Sequence, residues 1–288
     1  MLWSVSVDLD GLGCYASIHG LPEPLEDRAH RAVPQVALQR LCDLFDALPV
    51  KATFFVIGRE AHIAPEMLRA AAAAGHELAS HSFAHDYGMS RWPKERIAAD
   101  LRQCEEQLAG LGLPRPHGFR APGYTLSAGL LDAVRERGYL YDSSLLPSPP
   151  YYAAKAVAMG LHLLSGRKSH SILGGVGQLF ARRGAHIRNG VRELPISTTP
   201  GLRAPVIGTT VLALPRLARA GFARGHFNLE LHGIDALDAT DIPADIAAKQ
   251  PGASLPAREK LDRLRAILKA LPGEGVTLAA AAPRLLPH

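Results

Sequence analysis

Gly75-His76-Glu77-Leu78-Ala79-Ser80-His81-Ser82-Phe83-Ala84-His85-Asp86 is the stretch on which the reading of this chain turns. It runs a short strand pattern, His76 to Ser80, into two imidazoles four residues apart. On a helical turn, positions i and i+4 share a face, so His81 and His85 can bring two ring nitrogens to one cation. The chain has 13 histidines, and such a pair alone is as readily a solvated face. A second stretch gives it meaning. Leu2-Trp-Ser-Val-Ser-Val-Asp8 reads as a strand, and apolar and acidic residues alternate through Val7-Asp8-Leu9-Asp10-Gly11. Side chains two apart on a strand point the same way, so Asp8 and Asp10 address one site, one carboxylate as a ligand and the other free as a base.

The chain has 288 residues, 47% of them hydrophobic, enough to bury a large core, and α/β barrels commonly use this length as one domain. One domain, residues 1–288, is expected. No run of about 18 apolar residues is present, and Met1 leads straight into the first strand with no basic leader before it. A cytoplasmic location is the expectation. Cys14, Cys42 and Cys104 are odd in number and scattered, which suggests reduced packing thiols and neither a disulfide framework nor a zinc knuckle.

Up to about residue 145, short apolar runs alternate with helical patterns, the signature of a parallel sheet with crossover helices. Tyr15 to Arg28 reads as a loop over the site. Ala32 to Leu48 carries Ala37, Leu38, Leu41, Leu44, Phe45 and Leu48 on one stripe, and Lys51 to Ile57 reads as a buried strand. Ala64 to Ala74 is a helix ended by Gly75, so the histidine pair sits where a strand finishes, the end at which α/β sheets bind ligands. A helix from about Trp92-Pro93 to Ala109 follows, then strand and turn over Gly118 to Tyr124, a helix capped by Ser127, and a strand over Tyr139 to Ser144. Further on, Val191 to Ser197 reads as a strand held to an edge by Pro195, and Phe227 to Leu231 as the strand bearing His232. Ser254 is expected to cap a last long helix to about Ala270, and Gly275 to Ala279 to close the barrel.

Asp8-Leu-Asp10, His81-Ser-Phe-Ala-His85, Arg120-Ala-Pro-Gly123, Tyr141-Asp-Ser-Ser144 and Leu229-Glu-Leu-His232, in this order, make the chain resemble the polysaccharide deacetylase family. Leucine between the aspartates departs from that family's usual adjacent pair and points to an Asp-x-Asp branch. The resemblance implies an α/β fold, a deformed (β/α)7-type barrel with an insertion at about 145–190. It also implies Zn²⁺, or another divalent metal such as Co²⁺, Mn²⁺ or Ni²⁺, on Asp10, His81 and His85. Three N/O ligands leave the open position that a catalytic site needs. Asp8 is then implied as the base that activates water and His232 as the acid that protonates the departing amine. A backbone N–H near Gly123 or Tyr124 would help hold the oxyanion. Arg120 is implied beside the base, where a fixed positive charge keeps a carboxylate ionised, and Asp142 as an acidic partner for His232. His76, His226 and Glu230 read as structural or supporting residues.

Between Ser143 and Arg192 there is no acidic residue, while Lys155, Arg167, Lys168, Arg182, Arg183, Arg188 and Arg192 all fall there. Tyr151 to Leu164 is apolar and helical in pattern, with Val157, Leu161 and Leu164 on one side. A basic, apolar insertion suits packing on the barrel or peripheral contact with an anionic membrane, with an N-acylated sugar or glycolipid as substrate. A net charge of +5 without an aromatic-studded basic motif argues against nucleic acid. The resemblance implies a hydrolase of non-peptide C–N bonds, removing an N-acyl group, acetyl first, from an amino sugar. A deformylase or ureide-type amidohydrolase of the same fold, and a non-catalytic carbohydrate- or lipid-binding relative, are the alternatives. Ser82 after the first histidine excludes a zincin protease, which needs Glu there.

Overall fold

The computed structural model describes residues 1–23, 26–164, 172, 174–221 and 225–287, with the side chains of 161–164, 176 and 220 left aside. Among the described residues nine strands make one curled sheet: β1 (Leu2–Asp8), β2 (Thr53–Val56), β3 (Glu77–Ser80), β4 (Gly118–Phe119), β5 (Tyr141–Asp142), β6 (His186–Arg188), β7 (Val191–Glu193), β8 (His226–His232) and β9 (Glu274–Gly275). Their order is β6-β7-β5-β4-β3-β2-β1-β8, with β9 beside β1. Every pairing is parallel except β6 with β7, and helices cross between the parallel strands, as the alternating pattern requires. The fold is the mixed α/β, deformed (β/α)7-type barrel.

Two strands decide where the polar groups go. Along β1, Trp3, Val5 and Val7 face the outer helices, in one hydrophobic cluster with Leu38, Leu41, Leu44 and Phe45 of the helix Leu38–Asp46. Ser4, Ser6 and Asp8 take the opposite face. β8 repeats the alternation with His226, Asn228, Glu230 and His232, and the register sets Asp8 directly beside His232. The inner face is therefore a polar ladder: Ser4 Oγ lies 2.9 Å from His226 Nε2, and Ser6 Oγ donates to Asn228 Oδ1 at 3.0 Å. Parallel strands covered on both faces tolerate such groups only when each finds a partner.

Several boundaries differ from the sequence expectation. Leu12–His19 is a helix closed by Gly20 at φ +62°, so the expected loop begins later; Tyr15 from this helix is buried. Pro34, which lacks an N–H, falls inside a π-helical segment, Ala32–Ala37, that runs into Leu38–Asp46. β7 stops at Glu193, two residues before Pro195, because proline cannot donate to a ladder; it is an inner strand, since β6 pairs on its other side. The β6–β7 hairpin turns at Asn189-Gly190, with φ of +46° and +74°, an Asn-Gly turn signal present in the sequence but not read.

Gly275 to Ala279 does not close the barrel. β9 pairs with Leu2 and Trp3 at the start of β1, and a helix begins at Leu278. The gap beside β8 is crossed instead by irregular chain, where Ser197 N donates to Asn228 O and Ile207 bridges Glu230. Ser254 does not cap the last long helix, Ala257–Lys269; Asp238 does, its Oδ2 accepting from Ala257 N at 2.8 Å. In the insertion, Pro149–Leu164 is helical and Val157 is 63% exposed. Arg167 and Lys168, and the side chains of Leu161 and Leu164, lie outside what is described. Among the described residues no helix is long and apolar enough to cross a membrane.

The cap assignment has a direct check in urea unfolding. Asp238→Ala should cost about 1 kcal/mol, the usual value of a lost N-cap, and Ser254→Ala almost nothing. Equal losses would return the cap to Ser254.

Candidate metal and catalytic site

The histidine pair is not on a helical turn. After β3 the chain enters a loop in which Ser82 and His85 both take left-handed backbone, φ +66° and +50°, an unfavourable conformation for residues with a Cβ. The loop is held from three sides. Asp100, buried on the helix Lys94–Gly110, accepts from Phe83 N at 2.8 Å and Ala84 N at 3.0 Å. Ser82 Oγ accepts from His85 N, and Gly58 N and Arg59 N donate to the Ser82 and Phe83 carbonyls. With the backbone pinned, the two rings lie 4.7 Å apart, centroid to centroid. Clamp formation, read from i, i+4 spacing, is here achieved by a strained loop.

Asp10 completes the group. Its Oδ1 is 3.3 Å from Nε2 of both His81 and His85, and all three residues are buried. Asp10 Oδ1 and His85 Nε2 have no hydrogen-bond partner, an expensive condition for buried polar atoms unless a cation takes their lone pairs. The remaining ring nitrogens are occupied: His81 Nδ1 lies 2.8 Å from the Arg120 carbonyl, and His85 Nδ1 lies 3.4 Å from Cys14 Sγ. An Nδ1–H spent on a carbonyl leaves the Nε2 lone pair of His81 aimed at the centre of the group. The donor set therefore fits a divalent ion of zinc type. Burial would raise the Asp10 carboxyl, but the two imidazoles outweigh it and hold it well below the usual carboxylate range.

Beside this group stand Asp8 and His232. Arg120, 0% exposed, gives Asp8 Oδ1 a 2.5 Å hydrogen bond and spends its other N–H groups on Ser6 Oγ, Ser143 Oγ and the Ser143 carbonyl. Burial nonetheless raises the Asp8 carboxyl, against the pull of Arg120 and His81, which moves it toward the range where a base is effective. His232 Nδ1 is 2.9 Å from Glu230 Oε1, and its Nε2 is 3.8 Å from Asp10 Oδ2. Burial disfavours the imidazolium, yet Glu230 outweighs that and raises His232 well above its ordinary value. The two carboxylate–imidazole environments push in directions that suit a base and an acid.

Asp142 does not partner His232. Its carboxylate accepts from Ser144 Oγ at 2.6 Å, and Glu193, the neighbouring position on β7, is its other buried acidic companion. Glu230 holds His232, because on β8 positions two apart share the inner face; that period-2 signal in His-Phe-Asn-Leu-Glu-Leu-His was available in the sequence, as it was for Asn228. Tyr124 departs from expectation too. Its N–H donates to the Ala121 carbonyl, while its hydroxyl donates to Glu230 Oε1 at 3.0 Å and lies 3.5 Å from His232 Nε2. Gly123, at φ +64°, lines the cavity. Asp100, Ser6 and Ser143 were not singled out in the sequence, where nothing distinguishes them from ordinary helix or strand polar residues.

Asp8, Asp10, His81 and His232 open into one cavity of about 370 Å³, whose walls also include Tyr151, Lys155 and Ile207. A larger cavity of about 520 Å³ lies between Gly13, Glu23, His30 and Glu60, but among the described residues no converging set of metal-ligating atoms lines it. Chemistry, not size, selects the site.

A family model described as polysaccharide deacetylase matches residues 32–141, which include His81, His85 and Arg120 but neither aspartate nor His232. A peptidoglycan deacetylase of Helicobacter pylori is 26% identical over 157 residues, 53% of this chain and 53% of that protein. A peptidoglycan deacetylase-like protein of Gibberella zeae is 29% identical over 113 residues, 38% of this chain and 33% of that one. The chain thus spans about half, and about a third, of these relatives' own lengths. Among solved structures, a Mycobacterium smegmatis protein classed with the polysaccharide deacetylases superposes with a TM-score of 0.65 at 20% identity, covering 99% of this chain and 89% of that one. An allantoinase gives 0.58 at 17% identity, covering 98% and 88%. A CE4 family pseudoenzyme from Bacillus anthracis gives 0.51 at 11%, covering 98% and 65%. At these identities the likeness is one of fold.

Asp100→Ala, which frees the loop without touching a ligand, should lower affinity for Zn²⁺ about 10- to 100-fold by calorimetry, as loss of supporting residues does elsewhere. Unchanged affinity would mean that the other loop contacts suffice.

Proposed function

We propose that this chain, which belongs to the polysaccharide deacetylase family, hydrolyses the N-acyl group, acetyl first, of an amino sugar in a polysaccharide, oligosaccharide or lipid-linked glycan. One observation carries the reading: the β1–β8 register sets Asp8 beside His232 at the edge of the Asp10, His81 and His85 group, with Asp8, Asp10, His81 and His232 facing one cavity. Those three residues would hold a divalent ion, zinc by donor type, which when bound polarises the amide carbonyl and makes water more acidic.

Asp8 takes the proton from the attacking water. Arg120 holds the Asp8 carboxylate in place and leaves Oδ2, the oxygen 3.7 Å from His81 Nε2, to face the site. An amide nitrogen leaves poorly as an anion, so a second group must protonate it, and His232, kept charged by Glu230, is the residue supplied with that proton. The Gly123 N–H is the backbone donor suited to the developing oxyanion, since the Tyr124 N–H is already spent in its turn.

Purified protein should contain a divalent metal and release acetate, rather than formate, from a panel of N-acetylated sugars, glycans and lipid-linked sugars. Asp8→Asn should reduce turnover at least about 10³-fold with metal retained, a loss of the size seen when a catalytic base is removed, and His85→Ala should lose the metal. Asp8→Asn hydrolysing as fast as the parent would overturn the assignment of the base. Formate release alone would move the reading to a deformylase.

A second test uses pH. Because Glu230 raises His232, Glu230→Gln should bring the His232 proton off at lower pH. The alkaline limb of the kcat profile should therefore move down. An unmoved limb would show that another group is the acid.

A further inference from the structure

Lys155 stands in the wall of the cavity that holds Asp8, Asp10, His81 and His232, projecting from the insertion helix Pro149–Leu164. Among the described residues its Nζ makes one hydrogen bond, at 3.4 Å to the Gly123 carbonyl, and it lies 6.0 Å from the Tyr151 ring centre. Among the described residues it makes no ion pair. Its own segment offers no acid between Ser143 and Arg192. The cavity's carboxylates have other roles: Asp8 pairs with Arg120, Asp10 stands in the ligand group with His81 and His85, and Asp235 accepts from the His232 backbone N–H. Burial pushes the lysine down to about 8, which still leaves it largely protonated at neutral pH. A half-buried ammonium without a counter-ion is costly, and the flexible lysine stem could carry it to water if nothing were gained by keeping it inside.

Resting on the N-deacylase reading above, we propose that Lys155 binds an anionic group of the substrate, a carboxylate or a phosphate carried on the same sugar as the scissile N-acyl group. The rest of the wall supports this division of labour. Tyr15, Tyr87, Tyr151, Ile207 and Pro251 offer apolar and aromatic faces for a sugar ring, and none can neutralise a charge. Arg120 cannot do so either, because it is fully buried beneath the base, bonded to Asp8, Ser6 and Ser143. The insertion thereby contributes one cation to the site and sets which N-acyl sugars are accepted. Lys155 is a specificity residue in this arrangement, with no part in moving protons.

The test compares the metal-loaded parent with Lys155→Met and Lys155→Arg on three N-acetylated probes: neutral N-acetylglucosamine oligomers, N-acetylmuramic acid oligomers for the carboxylate, and N-acetylglucosamine 1-phosphate for the phosphate. The methionine variant should raise KM for the preferred anionic probe about 10- to 100-fold, the scale of one charge-assisted hydrogen bond, leave kcat and the neutral probe nearly unchanged, and be partly restored by arginine. Whichever anionic probe responds identifies the group. Calorimetry with the Asp8→Asn protein should show the same loss in binding without relying on turnover. Equal losses on neutral and anionic probes would overturn the proposal and make Lys155 a prop for the Gly123 turn or part of the oxyanion site. No anionic preference in the parent would overturn it too, and would leave the deacylase reading intact. Absence of N-deacylation on every probe would instead remove that reading, while the calorimetric comparison still decides whether Lys155 binds the anion.

Discussion

The guanidinium of Arg120 is sealed under the site, and the geometry above it depends on how that charge is satisfied. Taking a full charge out of water costs several kcal/mol, and only good geometry with many hydrogen bonds offsets it. Here one side chain reaches Ser6 and Asp8 on β1 and the chain just beyond β5, while its own carbonyl receives His81 Nδ1. Arg120 therefore fixes two functional groups at once, the orientation of Asp8 and the tautomer of His81. Removing it would leave the Asp8 carboxylate buried and unpaired, a condition worth about 3–5 kcal/mol of destabilisation.

Burial acts on every ionisable group around this charge, and partners decide the outcome. Desolvation alone would neutralise Asp8 and Asp10 alike. Two imidazoles overcome it at Asp10, which stays a carboxylate ready to ligate, whereas one guanidinium does not fully overcome it at Asp8. Two carboxylates separated by one leucine thus acquire different chemistry. The same logic applies at His232, where Glu230 overcomes burial and favours the charged form.

What could be read from the sequence follows from the range of the forces involved. Strand periodicity is local, so β1, β2, β3 and β8 were legible, whereas β1 ends at Asp8 and Asp10 reaches the same cavity from the chain beyond it. The two histidines come together, but on a backbone other than the one expected, because i, i+4 spacing does not distinguish a helical turn from a loop pinned by Asp100, a residue 15 positions beyond His85 in the chain. The partner of His232 was misread at Asp142, although inner-face alternation along β8 marks Glu230. The Asp238 cap could not be read, since its helix begins 19 residues later and only the tertiary fold brings the two together. Strand partners for two very short elements, β6 and β9, depend on register across distant segments, and two or three residues carry too little pattern to specify it.

The assembly of distant groups around one ion is what all of this rests on, and the position of that ion is the most direct measurement. Anomalous scattering at the zinc edge from crystals of the zinc-loaded protein should give a single strong peak with Asp10 oxygen and the Nε2 atoms of His81 and His85 at about 2.0–2.2 Å. A peak on Asp8, Glu230 and His232 instead, or on surface histidines with the Asp10 group empty, would contradict it.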